Sequence, residues 1–160
     1  MSTLADREIQ VLSESGKLIA EQFSPASLTP NGYDLRIGSL RLMNSMDDTE
    51  EVRLERFSGA WISTMEYVNL PGDVMGQIWI RSSYARTGII GSFGAVEAGY
   101  HGCLTLTIFN MGSSTVTMKK GERVAQIVFH RLSSTPEKLY AERSGNYAGL
   151  RGISTGPMVE

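Results

Sequence analysis

Cysteine is almost absent from these 160 residues: Cys103 stands alone. That excludes a disulfide framework and a thiolate metal cluster. Histidine is nearly as scarce, with only His101 and His130, far apart and with no second histidine at metal-ligand spacing. Charge of one sign is missing too, since 15 Lys plus Arg face 17 Asp plus Glu for a formal charge of −2. The balance argues against nucleic acid or an anionic membrane as partner, yet it leaves room for a local basic pocket. No apolar run approaches the ~20 residues that span a bilayer, and MSTLADREIQ lacks the apolar core of a secretory signal. A cytoplasmic protein is expected. There is no Gly-x-x-x-x-Gly-Lys-Ser/Thr loop, and no Gly-x-Gly-x-x-Gly follows a strand.

Glycine is what the chain has in excess, with 17 spread at short intervals against a usual share of about 7%. Closely spaced turns imply many short strands, hence a sandwich or barrel. One helix is predicted at the start. Thr3-Leu4-Ala5-Asp6 has the form of a capping box, Leu4, Ile9 and Leu12 make a narrow apolar stripe, and Gly16 ends the helix. Beyond Thr29-Pro30-Asn31-Gly32 the pattern changes to period two. Tyr33–Leu42, Trp61–Met65, Gly76–Arg81, Leu104–Phe109 and Val124–Phe129 read as strands. Leu104, Leu106 and Ile108 should face one side, with Thr105, Thr107 and Phe109 on the other. Asn110–Ser114 and Lys119–Glu122 look like hairpin turns. The Gly- and Ser-rich tail from Ser144 would be mobile on its own. The whole, residues 1–160, reads as one mostly-β domain with a short N-terminal helix.

Two polar clusters invite chemistry. Arg81-Ser82-Ser83-Tyr84-Ala85-Arg86 closes an apolar strand with two guanidiniums and two hydroxyls, a set of donors suited to phosphate oxygens. A solvated strand end would also accommodate these residues. In Gly94–Gly102, Glu97 stands near Tyr100 between glycines, where a carboxylate could hold water beside a ring. A hairpin with one exposed acid would look the same.

Taken in order, these segments resemble the dCTP deaminase and dUTPase superfamily. Asn31-Gly32-Tyr33-Asp34-Leu35 is similar to its first motif and Arg81-Ser82-Ser83-x-Ala85-Arg86 to the second, in deaminase form. Ala95-Val96-Glu97-Ala98-Gly99-Tyr100-x-Gly102 is similar to the third and Gly121-Glu122-Arg123-x-Ala125-Gln126 to the fourth. Arg151-Gly152-Ile153-Ser154-Thr155-Gly156 is similar to a shortened C-terminal motif. The N-terminal helix and Met65-Glu66-Tyr67-Val68-Asn69-Leu70-Pro71 resemble the deaminase branch.

The resemblance implies a distorted β-barrel or jelly-roll-like dUTPase fold. It also implies a homotrimer with active sites between subunits, each closed by the tail 144–160. Ser82, Ser83, Arg86, Gln126 and Arg151 would bind the triphosphate together with Arg81, and Tyr100 would stack on deoxyribose. Tyr147 would reach the base, and Mg²⁺ would bridge phosphates, with Asp34 orienting its water shell or a neighbouring arginine.

Two positions depart from the pattern. Glu97 stands where dUTPases carry the water-positioning aspartate, and Thr107 stands where deaminases carry their glutamate. A threonine has no acid–base chemistry near pH 7. The expectation is therefore a dUTPase-like hydrolase that converts dUTP to dUMP and pyrophosphate, with Glu97 and Arg86 catalytic and Thr107 touching the base. A dCTP deaminase using another base, Glu97 itself, is the alternative. A non-catalytic deoxynucleotide binder is the second.

Overall fold

The computed structural model describes residues 2–156. In chain order its elements are β1 (Ser2–Thr3), α1 (Asp6–Glu14), β2 (Leu18–Glu21), β3 (Leu28–Thr29), β4 (Gly32–Leu42), β5 (Glu51–Leu54) and β6 (Gly59–Thr64). There follow β7 (Tyr67–Asn69), β8 (Val74–Ile80), α2 (Ser82–Ala85), β9 (Ile89–Ser92), β10 (Ala95–Val96) and β11 (His101–Gly102). The chain continues with β12 (Thr105–Asn110), β13 (Val116–Lys119), β14 (Arg123–Arg131) and α3 (Tyr140–Arg143). The five strands expected from alternation all form, with ends shifted by no more than two residues.

The main sheet runs β10-β8-β14-β4-β6-β12-β9, all its neighbours antiparallel, and it curls into a half-barrel. The long strand β4 makes the curl possible, because its first half pairs with β14 and its second with β6. The register slips between Ile37 and Ser39, at Gly38, where a Cβ would meet the Thr64 carbonyl at 2.9 Å. A bulge there turns the strand from one half of the sheet to the other. Tyr33, Leu35, Ile62, Ile108, Ile127 and Phe129 fill the concave side with no exposed surface. The fold is mostly β, as expected, with one short helix at its N-terminus.

Three local expectations are corrected. Helix α1 is capped at Ala5, whose N–H donates to the Glu8 carboxylate at 3.3 Å; Thr3 is in β1 and pairs with His130 of β14. Burying Leu4 in the core fixes the chain's entry and moves the helix start two residues on. Asn110–Ser114 is not a hairpin turn, because β13 pairs with β5 and not with β12. The Asn110 amide ties this crossing instead, donating to the carbonyls of Leu54 and Ser114, both at 2.8 Å. Lys119–Glu122 is a tight turn with Gly121 at φ +85°, but it too crosses between sheets. Among the described residues no helix is long and apolar enough to cross a membrane.

Candidate active site

The third motif folds as a turn that presents a carboxylate. The Tyr100 N–H donates to the Glu97 carbonyl at 3.1 Å and Gly99 has φ +82°, the position where this turn demands glycine. Val96, Ala98 and Tyr100 are buried while Glu97 is exposed, so alternation sends the carboxylate outward. It lines a cavity of about 340 Å³ shared with Trp61, Tyr100, Thr105, Thr107 and Tyr147. Thr105 and Thr107 come from the polar side of β12, whose Leu106 and Ile108 are in the core. Thr107 lies opposite Trp61 of β6.

Tyr100 is a wall of this cavity. Its ring is only 6% exposed, meets Tyr140 edge-on with centroids 5.2 Å apart, and donates its hydroxyl to the Cys103 carbonyl at 2.9 Å. Burial, reinforced by Tyr140, Cys103 and Tyr67, pushes the phenol well above its ordinary pKa, so it stays neutral.

The tail is docked on its own chain as far as Gly156; residues 157–160 of the expected closing segment lie outside the described residues. The Gly149 N–H donates to the His101 carbonyl and Cys103 N–H to the Leu150 carbonyl, both at 2.8 Å. The Ser154 N–H donates to the Thr105 hydroxyl at 3.1 Å. Buried Leu150 anchors this segment, which contributes Tyr147, Ser154 and Thr155 to the cavity. Arg151, assigned to the triphosphate by the resemblance, is held by Glu21 and lies over the Tyr67 ring.

The second motif lies elsewhere. At the end of β8, Arg81 places Nε 3.0 Å from Asp34 Oδ2 and donates to the Arg123 carbonyl at 3.3 Å. Arg123 reaches the same carboxylate oxygen at 3.6 Å. Burial raises the Asp34 pKa, and Arg81 and Arg123 oppose the rise. Asp34 is thus paired with both arginines, and among the described residues no group of three or more His, Cys, Asp or Glu could hold a metal ion. Gln126, opposite Asp34 on β14, donates its amide to the Thr29 hydroxyl at 2.7 Å. Ser82, Ser83 and Arg86 are exposed on and just after α2. Arg81 and Ser83 border a groove of about 460 Å³ with Tyr84, Glu122 and Arg123.

Within one chain the structure brings Glu97, Tyr100, Thr107 and Tyr147 together but leaves Arg81, Ser82, Ser83, Arg86, Gln126 and Arg151 out of their cavity. Sequence reasoning missed Trp61, Ser154 and Thr155. The alternation of β6 was the available signal for Trp61, but only strand register sets it beside Thr107.

The model of a dCTP deaminase-like family matches residues 41–132. A dCTP deaminase of Thermococcus kodakarensis is 40% identical over 142 residues, 86% of this chain and 90% of that protein. One of Pyrococcus horikoshii is 45% identical over 137 residues, 83% and 86% of the two chains. A dUMP-forming dCTP deaminase of Aquifex aeolicus is 32% identical across 94% of this chain and 91% of its own. Among solved structures, the 2′-deoxycytidine 5′-triphosphate deaminase of Agrobacterium tumefaciens superposes with a TM-score of 0.72 at 24% identity, covering 81% of this chain. This chain spans about half of that one (48%). The native EIAV dUTPase superposes at 0.52 with 20% identity over 71% of this chain. Both structural likenesses speak to the fold.

The expectation of a dUTP-hydrolysing enzyme is corrected by these relatives. It rested on two positions, Glu97 and Thr107, whereas the 40–45% identity to proteins named dCTP deaminase extends over 83–86% of the chain. By its matched residues and by these relatives, the chain belongs to the dCTP deaminase-like family.

Proposed function

We propose that the protein deaminates dCTP, adding water at C4 of the cytosine and releasing ammonia. The observation that carries this reading is that, among the described residues, Glu97 is the only Asp, Glu or His side chain lining the cavity. It is thus the group there able to move a proton near neutral pH. The Glu97 carboxylate takes a proton from water as its oxygen bonds to C4. The carboxyl then returns that proton to the departing amine, so the C4–N bond breaks with ammonia as leaving group, and the proton left on the C4 oxygen moves to N3 to give the uracil ring of dUTP. Thr105 and Thr107 offer hydroxyls to the base edge, and Tyr100 supports the sugar.

The triphosphate would be bound by Ser82, Ser83, Arg81, Arg86 and Gln126 of a second copy, in a homotrimer whose sites lie between subunits. The exposure of Ser82, Ser83 and Arg86 outside the Glu97 cavity, with Arg81 and Gln126 half-buried, supports that arrangement, and Arg151 could join them only by leaving Glu21. Mg²⁺ would arrive with the nucleotide and neutralise phosphate charge, its ligands drawn from the phosphates since Asp34 is engaged by two arginines. The cytoplasmic deoxynucleotide pool is the proposed setting.

Thr107 favours one other reading, a deoxynucleotide binder without turnover, because family deaminases carry glutamate there. Ammonia release from dCTP, with the products separated chromatographically, decides between them. Glu97→Gln should lower kcat by at least about 100-fold while dCTP binding persists. Adding Thr107→Glu to that variant should restore part of the turnover, since both side chains line one cavity. Full turnover in Glu97→Gln overturns the assignment of the base, and no ammonia from the unaltered protein overturns the reaction.

A further inference from the structure

Four aromatic rings line the Glu97 cavity: those of Trp61, Tyr100, Tyr140 and Tyr147. Tyr100 and Tyr140 are spent on one another, edge to face. Tyr147 stands on the docked tail and is 39% exposed. Trp61 differs from all three. It lies in β6, a strand paired on both sides, opposite Thr107 of β12 and opposite Arg41 of β4. It is partly buried, and no aromatic pair among the described residues includes it.

Directly opposed residues of an antiparallel pair share one face of the sheet, with Cβ atoms about 4.5–5.5 Å apart. The indole therefore stands beside Thr107, where a short side chain leaves room for a planar group. A ring on a central strand is also preorganised, since its backbone is held by hydrogen bonds on both edges and loses little freedom when a ligand arrives.

We infer that Trp61 is the stacking platform for the pyrimidine ring in this cavity, the sheet-side surface on which the base lies while Glu97 faces its reacting edge. The inference rests on the proposed dCTP reading and deepens it, because it names the group that recognises the ring. Stacking on an aromatic side chain is insensitive to the exocyclic groups of the base. Trp61 thus sets affinity for a pyrimidine ring and leaves the choice between cytosine and uracil to hydrogen bonds. Tyr147 lines the same cavity from the docked tail.

The protein has two tryptophans, which gives a direct test. Trp79 is 54% exposed on β8 and is not part of the Glu97 cavity. The Trp79→Phe variant accordingly leaves Trp61 as the single indole emitter with the cavity unaltered. In a Glu97→Gln background, which separates binding from turnover, titration of this variant with dCTP should quench the emission. Inorganic tripolyphosphate, which has no ring, should leave it unchanged. In the Glu97→Gln protein that keeps Trp79 as its emitter, Trp61→Phe should abolish the quench. In the otherwise unaltered protein, Trp61→Ala should raise the KM for dCTP about 5- to 100-fold with kcat within a few fold.

An unquenched Trp61 when calorimetry shows dCTP bound overturns the inference, as does equal quenching by tripolyphosphate. A quench that survives Trp61→Phe overturns it as well. Ammonia release is read separately: quenching without ammonia supports the platform and removes the deaminase reading, and ammonia without quenching does the reverse.

Discussion

Arg151 grips Glu21 at two points, with nitrogen–oxygen distances of 2.6 and 2.9 Å, and its guanidinium carbon sits 4.6 Å from the Tyr67 ring centroid. The pair joins the C-terminal segment to β2 next to the cavity wall. Both side chains are exposed, so salt screens the attraction and its contribution is to position the tail. Glu21→Ala should accelerate tryptic cleavage after Arg143 and Arg151 several-fold, and high salt should do the same to the unaltered protein. Mass spectrometry of the fragments checks this, and unchanged cleavage at both sites refutes the latch.

Gly99 holds the turn that aims Glu97. Its φ of +82° disfavours any side chain, and a Cβ there would stand 2.9 Å from the Leu139 Cβ. Gly99→Ala should cost about 1–3 kcal/mol of stability, read by urea unfolding. It should also depress kcat, because a shift of ~1 Å at a reacting group can cost about 100-fold in rate. Stability equal to that of the unaltered protein would show that the turn tolerates the side chain.

Glu66 is fully buried and accepts hydrogen bonds from Arg36 Nε at 2.7 Å and Arg36 N–H at 2.8 Å. Burial pushes its pKa above the ordinary 4.5, and the Arg36 bonds oppose the rise without cancelling it. A carboxyl raised on folding binds its proton more tightly in the folded state. Its stabilisation is thus full below the ordinary value and is lost as pH rises through the elevated one. The stability advantage of the unaltered protein over Glu66→Gln should therefore shrink as pH rises from about 4.5. Urea unfolding of both proteins between pH 4 and 8 measures the difference, and an advantage that grows with pH contradicts the direction.

Much of the architecture was legible because it depends on near neighbours. The alternation in Leu104–Phe109 marked which residues of β12 would be buried, and Gly16 at φ +79° stops the helix as its position suggested. Elsewhere a distant contact overrides the local pattern. Thr3 and Asp6 have the spacing of a cap, but burial of Leu4 and pairing of Thr3 with His130 move the cap to Ala5. The two presumed hairpin turns have suitable residues, yet their flanking strands pair across the molecule. Function follows the same rule: Glu97 and Thr107 are two positions, whereas the identity to proteins named dCTP deaminase runs along most of the chain.

Local preferences and period-two polarity by themselves determined the five longest strands and the Glu97 turn, since each acts over a few residues. Tertiary structure alone decided that Trp61 stands beside Thr107, that the polar tail folds back through Leu150 and Arg151, and that the arginine–serine cluster lies apart from Glu97. Those outcomes depend on strand register and on contacts between segments far apart in the chain, which no local pattern encodes.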